Sequence, residues 1–131
     1  MKRLLAAIFI ICFSLVPSYG GESEEWDYVA PNNYVYKDGI MGLENMYGFS
    51  FMLKSYNKGQ YEPINGKDVE YTLGQYEINC LRHTYKIGVL DSYDSKDNFV
   101  NGDYNRYAQF QPIVSGTAID AMALKLCKFS Q

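Results

Sequence analysis

From Trp26 onward, several separate segments place apolar residues at every second position, the period of strands with one buried face. WDYVA (26–30) and NYVYKD (33–38) alternate in this way, with Pro31, Asn32 and Asn33 as the turn between them. In YGFSFMLKSY (47–56), Tyr47, Phe49, Phe51 and Leu53 share one face and Ser50 and Lys54 the other. NKGQYEPINGKD (57–68) reads as a loop rich in Gly, Asn and Pro. Residues 69–80, VEYTLGQYEINC, change phase: Val69, Tyr71 and Leu73 are apolar in one register, and Tyr76, Ile78 and Cys80 in the other. A glycine at such a switch, here Gly74 followed by Gln75, predicts a bulge or bend. Past Cys80, His83, Tyr85, Ile87 and Val89 are predicted on one face, opposite Thr84 and Lys86. DSYDSKDN (91–98) reads as a hairpin tip, Phe99 and Val100 begin the return, and RYAQFQPI (106–113) is a last short strand.

The period lengthens only in SGTAIDAMALKLCKF (115–129). Thr117 followed by Asp120 fits a capping box with Asp in place of the usual Glu. Ile119, Met122, Ala123 and Leu126 form an apolar stripe that also carries Cys127, so the helix packs on a sheet with Cys127 facing it. The expected architecture is α+β: an antiparallel sheet of five or six strands with a C-terminal helix packed on it, one disulfide, and no repeat or second domain.

The first residues follow another rule. Lys2 and Arg3 precede an apolar run from Leu4 to Val16, and Ser18 and Gly20 place small residues at a cleavage point after Gly20. This is the layout of a secretory signal peptide. The run of about 13 residues falls short of the roughly 20 that span a bilayer, which disfavours a retained anchor. Ile10 and Ile11 before Cys12 disfavour lipid attachment, which wants a small residue there. The expected divisions are a signal peptide over 1–20, a polar tail over 21–25 and one domain over 26–131, exported to the periplasm, the cell surface or the medium. No other run approaches membrane length. Losing Lys2 and Arg3 leaves ten basic residues against 15 acidic ones, and the basic ones are scattered. A surface that neutralises phosphates needs a basic face, so nucleic acid is excluded as a partner class.

Only Cys80 and Cys127 remain after such a cleavage. Two cysteines in an oxidising compartment most simply form one disulfide. It closes a loop of about 48 residues and stabilises by roughly 3–4.7 kcal/mol in the chain-entropy model. A catalytic thiolate or a zinc site competes poorly. The single histidine, His83, is three residues from Cys80, and neither CxxC nor HxxxH spacing occurs. His83 in phase with Tyr85 and Ile87 reads as a packed residue. Asp91, Asp94, Asp97 and Asp103 crowd one segment, yet an EF-hand loop begun at Asp91 would have Tyr93 third and Gly102 twelfth, so a solvated hairpin is expected. Glu70 and Glu77, on either side of the phase switch, give no basis for a glycosidase pair. No catalytic or metal residue and no cofactor is assigned. Twelve tyrosines remain after cleavage. Most are expected in the core or in cross-strand pairs, with an exposed aromatic binding face as the competing reading for some.

The order of Trp26, YVYKD ending at Asp38, the long aromatic strand, QYEINC, the Tyr93-Asp94 step and FQPIVSGTAIDAMALKLC resembles the surface-adhesin E family of small bacterial envelope proteins. That family has a YE-x-(N/D)-C strand and a terminal P-x-x-T…L…C helix, whose two cysteines form a disulfide. The resemblance puts these on Cys80 and Cys127 and the helix-start Thr on Thr117. Phe110 stands where Trp is common, and Ser115 where Pro often precedes Gly-Thr. The resemblance implies an exported, non-enzymatic envelope or surface binding module. Partners of the laminin, vitronectin and plasminogen type follow from it, with a periplasmic housekeeping protein or an inhibitor, for example of lysozyme, as the alternative.

Overall fold

Each apolar alternation becomes a strand, and the pairing of those strands decides which face each residue takes. A computed structural model describes residues 25–44, 47–59 and 61–127. The expected signal peptide over 1–20 lies outside the described residues, as do 21–24 of the polar tail and 128–131 at the end of the expected domain. The strands are β1 (Trp26–Ala30), β2 (Asn33–Tyr36), β3 (Met41–Leu43), β4 (Gly48–Tyr56), β5 (Tyr71–Asn79), β6 (Thr84–Tyr93), β7 (Phe99–Tyr104) and β8 (Gln111–Pro112). All pair antiparallel in one sheet of order β1-β2-β4-β5-β6-β7. The short β3 flanks the start of β4, and β8 flanks the start of β6. The architecture is the expected α+β one, with eight strands rather than five or six. The shortest two, β3 and β8, are three and two residues long, too short to carry a period. Within the expected strand 106–113, only Gln111 and Pro112 pair.

The pairing of β4 with β5 runs unbroken from Gly48 opposite Asn79 to Tyr56 opposite Tyr71. The phase switch in β5 is therefore not a bulge of β5 itself. Its apolar residues pass from one face of the sheet to the other. A register shift does occur beside Gln75 and Tyr76, but in the pairing with β6, where Gly88 is the unpaired residue. That bulge corrects the expected faces of β6. Tyr85 and Ile87 lie opposite Ile78 and Tyr76, whereas Val89 lies opposite Gln75 on the other side. His83 does not join the strand. It is exposed in the turn between β5 and β6 with φ of 55°, and its carbonyl accepts from Ile113 N–H at 3.2 Å.

The helix α1 (Ala118–Leu126) starts where the capping residues predict. Thr117 Oγ1 accepts from Asp120 N–H at 3.2 Å. The Asp120 carboxylate reaches back to Gly116 N–H at 3.0 Å, one residue before the cap, because Thr117 N–H is already bonded to Val114 O. Ile119, Met122 and Ala123 are buried and Leu126 is half-buried, as the stripe predicts. They close a core with Val35, Phe51, Leu53, Ile78, Ile113 and Cys127. Cys80 and Cys127 form a disulfide, with Cα atoms 5.5 Å apart, that fastens the helix end to the β5 end. No helix among the described residues is long and apolar enough to cross a membrane.

Two measurements check this packing. Cys80→Ser is expected to lower the unfolding free energy by about 2–5 kcal/mol in urea. Thiols titrating in the denatured, unreduced domain would contradict the bridge. A Cβ on Gly48 would drive into the Ile78 carbonyl of β5. Gly48→Ala therefore costs about 1–3 kcal/mol by overpacking, and an unchanged denaturation midpoint would refute that close approach.

Candidate functional site

Because β5 changes its apolar face, the sheet is apolar on opposite sides at its two ends. At the Cys80 end, Phe51, Tyr76, Ile78 and Tyr85 lie on the helix side. Ser50, Glu77 and Lys86 lie on the other side there, with Lys86 Nζ 3.9 Å from Glu77. At the opposite end the side away from the helix is aromatic. Cross-strand pairing lines up Tyr56, Tyr71, Tyr93 and Phe99 over β4 to β7. Tyr34 and Tyr28 extend the row over β2 and β1.

The six rings follow one another at centroid separations of 6.0, 6.0, 5.9, 5.2 and 5.9 Å, from Tyr28 to Phe99. Tyr71 and Tyr93 stack, and the outer pairs meet edge to face. Each contact is worth about 0.5–1.5 kcal/mol beyond its burial. Trp26 and Tyr36 form a second pair at 5.5 Å on the same side. Lys54 lies over this surface, its Nζ 4.5 Å from the Tyr71 ring centroid, 5.1 Å from Tyr56 and 5.5 Å from Trp26. A cation held by three rings needs no carboxylate beside it.

The row is sunk at its centre and open at its ends. Tyr71 is 8% exposed, while Tyr28 and Phe99 are 55% and 56% exposed. Tyr71 OH donates to Asp97 Oδ1 at 2.9 Å, which ties the ring to the hairpin tip. Burial, then this bond and the Asp97 charge, push the Tyr71 hydroxyl well above the ordinary tyrosine range. On the helix side, burial pushes Tyr76 up to about 12, helped by Tyr61 and Tyr85.

The acidic residues singled out from the sequence do not converge. Asp94 closes its own turn, accepting from Lys96 N–H and Asn98 N–H at 2.9 Å each. Asp97 accepts from Tyr71. Asp91 and Asp103 are on opposite faces of the sheet, opposite Gly102 and Leu90. No group of three metal-ligating side chains occurs among the described residues. Glu77 pairs with Lys86, and Glu70 lies outside the strand, its N–H bonded to Tyr93 O. The tyrosines of the row could be counted in the sequence but not placed. The signal for them was the apolar phase of β5 before its switch, Tyr71 and Leu73.

No family model and no curated protein matches the sequence. Solved structures of Haemophilus influenzae protein E are similar to this chain in fold. One, crystal form II, aligns with a TM-score of 0.62 over 87% of this chain and 94% of that chain, at 13% identity. Another, of protein E from non-typeable Haemophilus influenzae, gives 0.59 over 86% and 81% at 15% identity. The resemblance in residues and the likeness in structure lead to the same fold.

Two titrations follow from the site. Neutral Tyr71 and Tyr76 stabilise the fold fully below the ordinary pKa of 10.0, and this contribution is lost as pH rises from there through their folded values. Phenolate absorbance is expected to show two tyrosines lagging the rest, one of them lost in Tyr71→Phe; simultaneous titration of all would contradict the burial. Backbone N–H donation from Asn98, with that from Lys96, lowers the Asp94 carboxyl below its ordinary 3.8. Its contribution is present above 3.8 and lost as pH falls through the lower folded value. The amide shifts of Lys96 and Asn98 should therefore move with a midpoint below 3.8; a midpoint above it would refute the turn.

Proposed function

We propose that the chain is an exported, non-enzymatic binding module that engages proteins through its aromatic face. The observation that carries this reading is the row from Tyr28 to Phe99. It is laid across six strands on the side the helix leaves open. Tyrosine offers contact area at low entropic cost and is enriched at protein interfaces. A rigid sheet holds the rings before any partner arrives, which lowers the cost of binding. The disulfide supports an oxidising compartment, in keeping with the signal-peptide layout of residues 1–20. The fold likeness to protein E supports an adhesin-like role at the cell surface. The family resemblance supplies laminin, vitronectin and plasminogen as the first partners to test.

The domain from residue 21 onward is to be tested against these three immobilised proteins at physiological salt. Saturable binding to at least one is expected. The Tyr28→Ser/Phe99→Ser variant, altered only at exposed ring positions, should weaken it about tenfold or more. Leu124→Ser, at a position 68% exposed on the helix, should leave it unchanged. Absence of binding to all three, or equal loss in both variants, would contradict the reading. Absence of binding together with inhibition of lysozyme would replace it with the inhibitor alternative.

A further inference from the structure

The helix side of the sheet has a half that α1 does not reach, and there the sheet is polar. Register sets Ser55, Thr72, Ser92 and Asn101 in one row across β4, β5, β6 and β7. Ser55 Oγ donates to Asn33 Oδ1 at 2.6 Å. The next two are different. Thr72 and Ser92 are 5% and 7% exposed, and neither hydroxyl has a hydrogen-bond partner among the described residues. Neither oxygen is sealed off: the sealed, unpaired side-chain oxygen among the described residues is Thr84 Oγ1, on the other side of the sheet, so the hydroxyls of Thr72 and Ser92 remain open to a donor.

Both line a cavity of about 280 Å³ roofed by the loop that follows β4. The roof is built rather than draped. Asn57 Nδ2 donates to Val69 O at 2.8 Å, and Asn57 Oδ1 accepts from Tyr61 N–H at 3.1 Å. Ile64 and Lys67 exchange both backbone bonds around Asn65 and Gly66, which supply the positive φ the turn needs. Ile64, Val69 and Leu90 give the cavity an apolar wall, and Glu62 and Asp103 bring two carboxylates. Neither carboxylate has an ion-pair partner among the described residues, and no lining residue is basic.

We propose that this cavity binds a primary ammonium group on a short apolar stem, as in a free alkyl diamine or a lysine side chain. An ammonium has three donors and no acceptor. The Thr72 and Ser92 hydroxyl oxygens and the Asn101 amide oxygen are acceptors along one row of the floor. The two carboxylates supply the opposite charge, and the wall takes the methylenes. The volume lies just below the roughly 300–1,000 Å³ of drug-sized sites, which suits one such chain. The cavity is on the opposite side of the sheet from the aromatic row, so either reading can fail alone.

The test is an amide NMR titration of the isotope-labelled domain with three probes: cadaverine, Nα-acetyl-lysine amide and the neutral 1-pentanol. At least one ammonium probe is expected to give saturable shifts centred on Thr72, Ser92 and Asn101, with no saturable shift from pentanol. Saturation by cadaverine alone assigns a free amine. Saturation by the lysine amide, alone or with cadaverine, assigns a lysine side chain. Asp103→Asn, at an exposed position, should weaken binding about tenfold, the loss of one charge-assisted contact. Ser92→Ala and Thr72→Val each remove one acceptor and should weaken it severalfold; either folded variant suffices. The proposal is overturned by saturable binding of pentanol at equal affinity, by no saturable shift from either ammonium probe, or by unchanged affinity in Asp103→Asn.

Discussion

The change of apolar face halfway along β5 is the constraint on which the rest depends. A strand with unbroken pairing has a strict period of two, so a phase switch in its sequence must send residues to opposite sides. Tyr76 and Ile78 face the helix, and Tyr71 and Leu73 face away from it. One helix cannot serve both halves. The nine residues of α1 reach about 14 Å, whereas the nine of β4 or β5 reach about 30 Å. The protein seals one half of one side with the helix and leaves the other half of the opposite side aromatic.

That division explains where the fasteners are. The disulfide joins the end of β5 to the end of α1, where the sealed core is. At the other end the sheet is held by ring contacts on one side and by the loop tied down through Asn57 on the other. An aromatic row satisfies its own packing across strands and so needs no covering layer, with Lys54 shielding its sunken centre. The polar row beneath the loop has no such self-sufficiency. The convergence of its hydroxyls with two carboxylates on one cavity is what marks it as different from ordinary strand polarity.

Much of this was legible in the sequence because it rests on local rules. The long strands, the Thr117 cap, the apolar stripe of the helix and the pairing of the two cysteines all follow from period and composition. What failed did so where pairing overrides pattern. The bulge predicted at Gly74 belongs to Gly88 of the neighbouring strand, which moved Val89 to the other side. His83 kept the phase of a strand yet took a left-handed turn conformation, since only three residues separate Cys80 from the start of β6 at Thr84. The aromatic row is spread over 72 residues of sequence, from Tyr28 to Phe99, and no local period reports a contact between strands. The cavity is likewise a product of how the loop lies over three strands.

The most direct test is a set of nuclear Overhauser contacts from the rings of β5. Contacts are expected between the Tyr76 ring or Ile78 methyls and the helix stripe of Ile119 and Met122. The Tyr71 ring should contact Tyr56 and Tyr93, and not that stripe. Contacts from both Tyr71 and Tyr76 to the helix would show β5 keeping a single apolar face and would contradict the change of face.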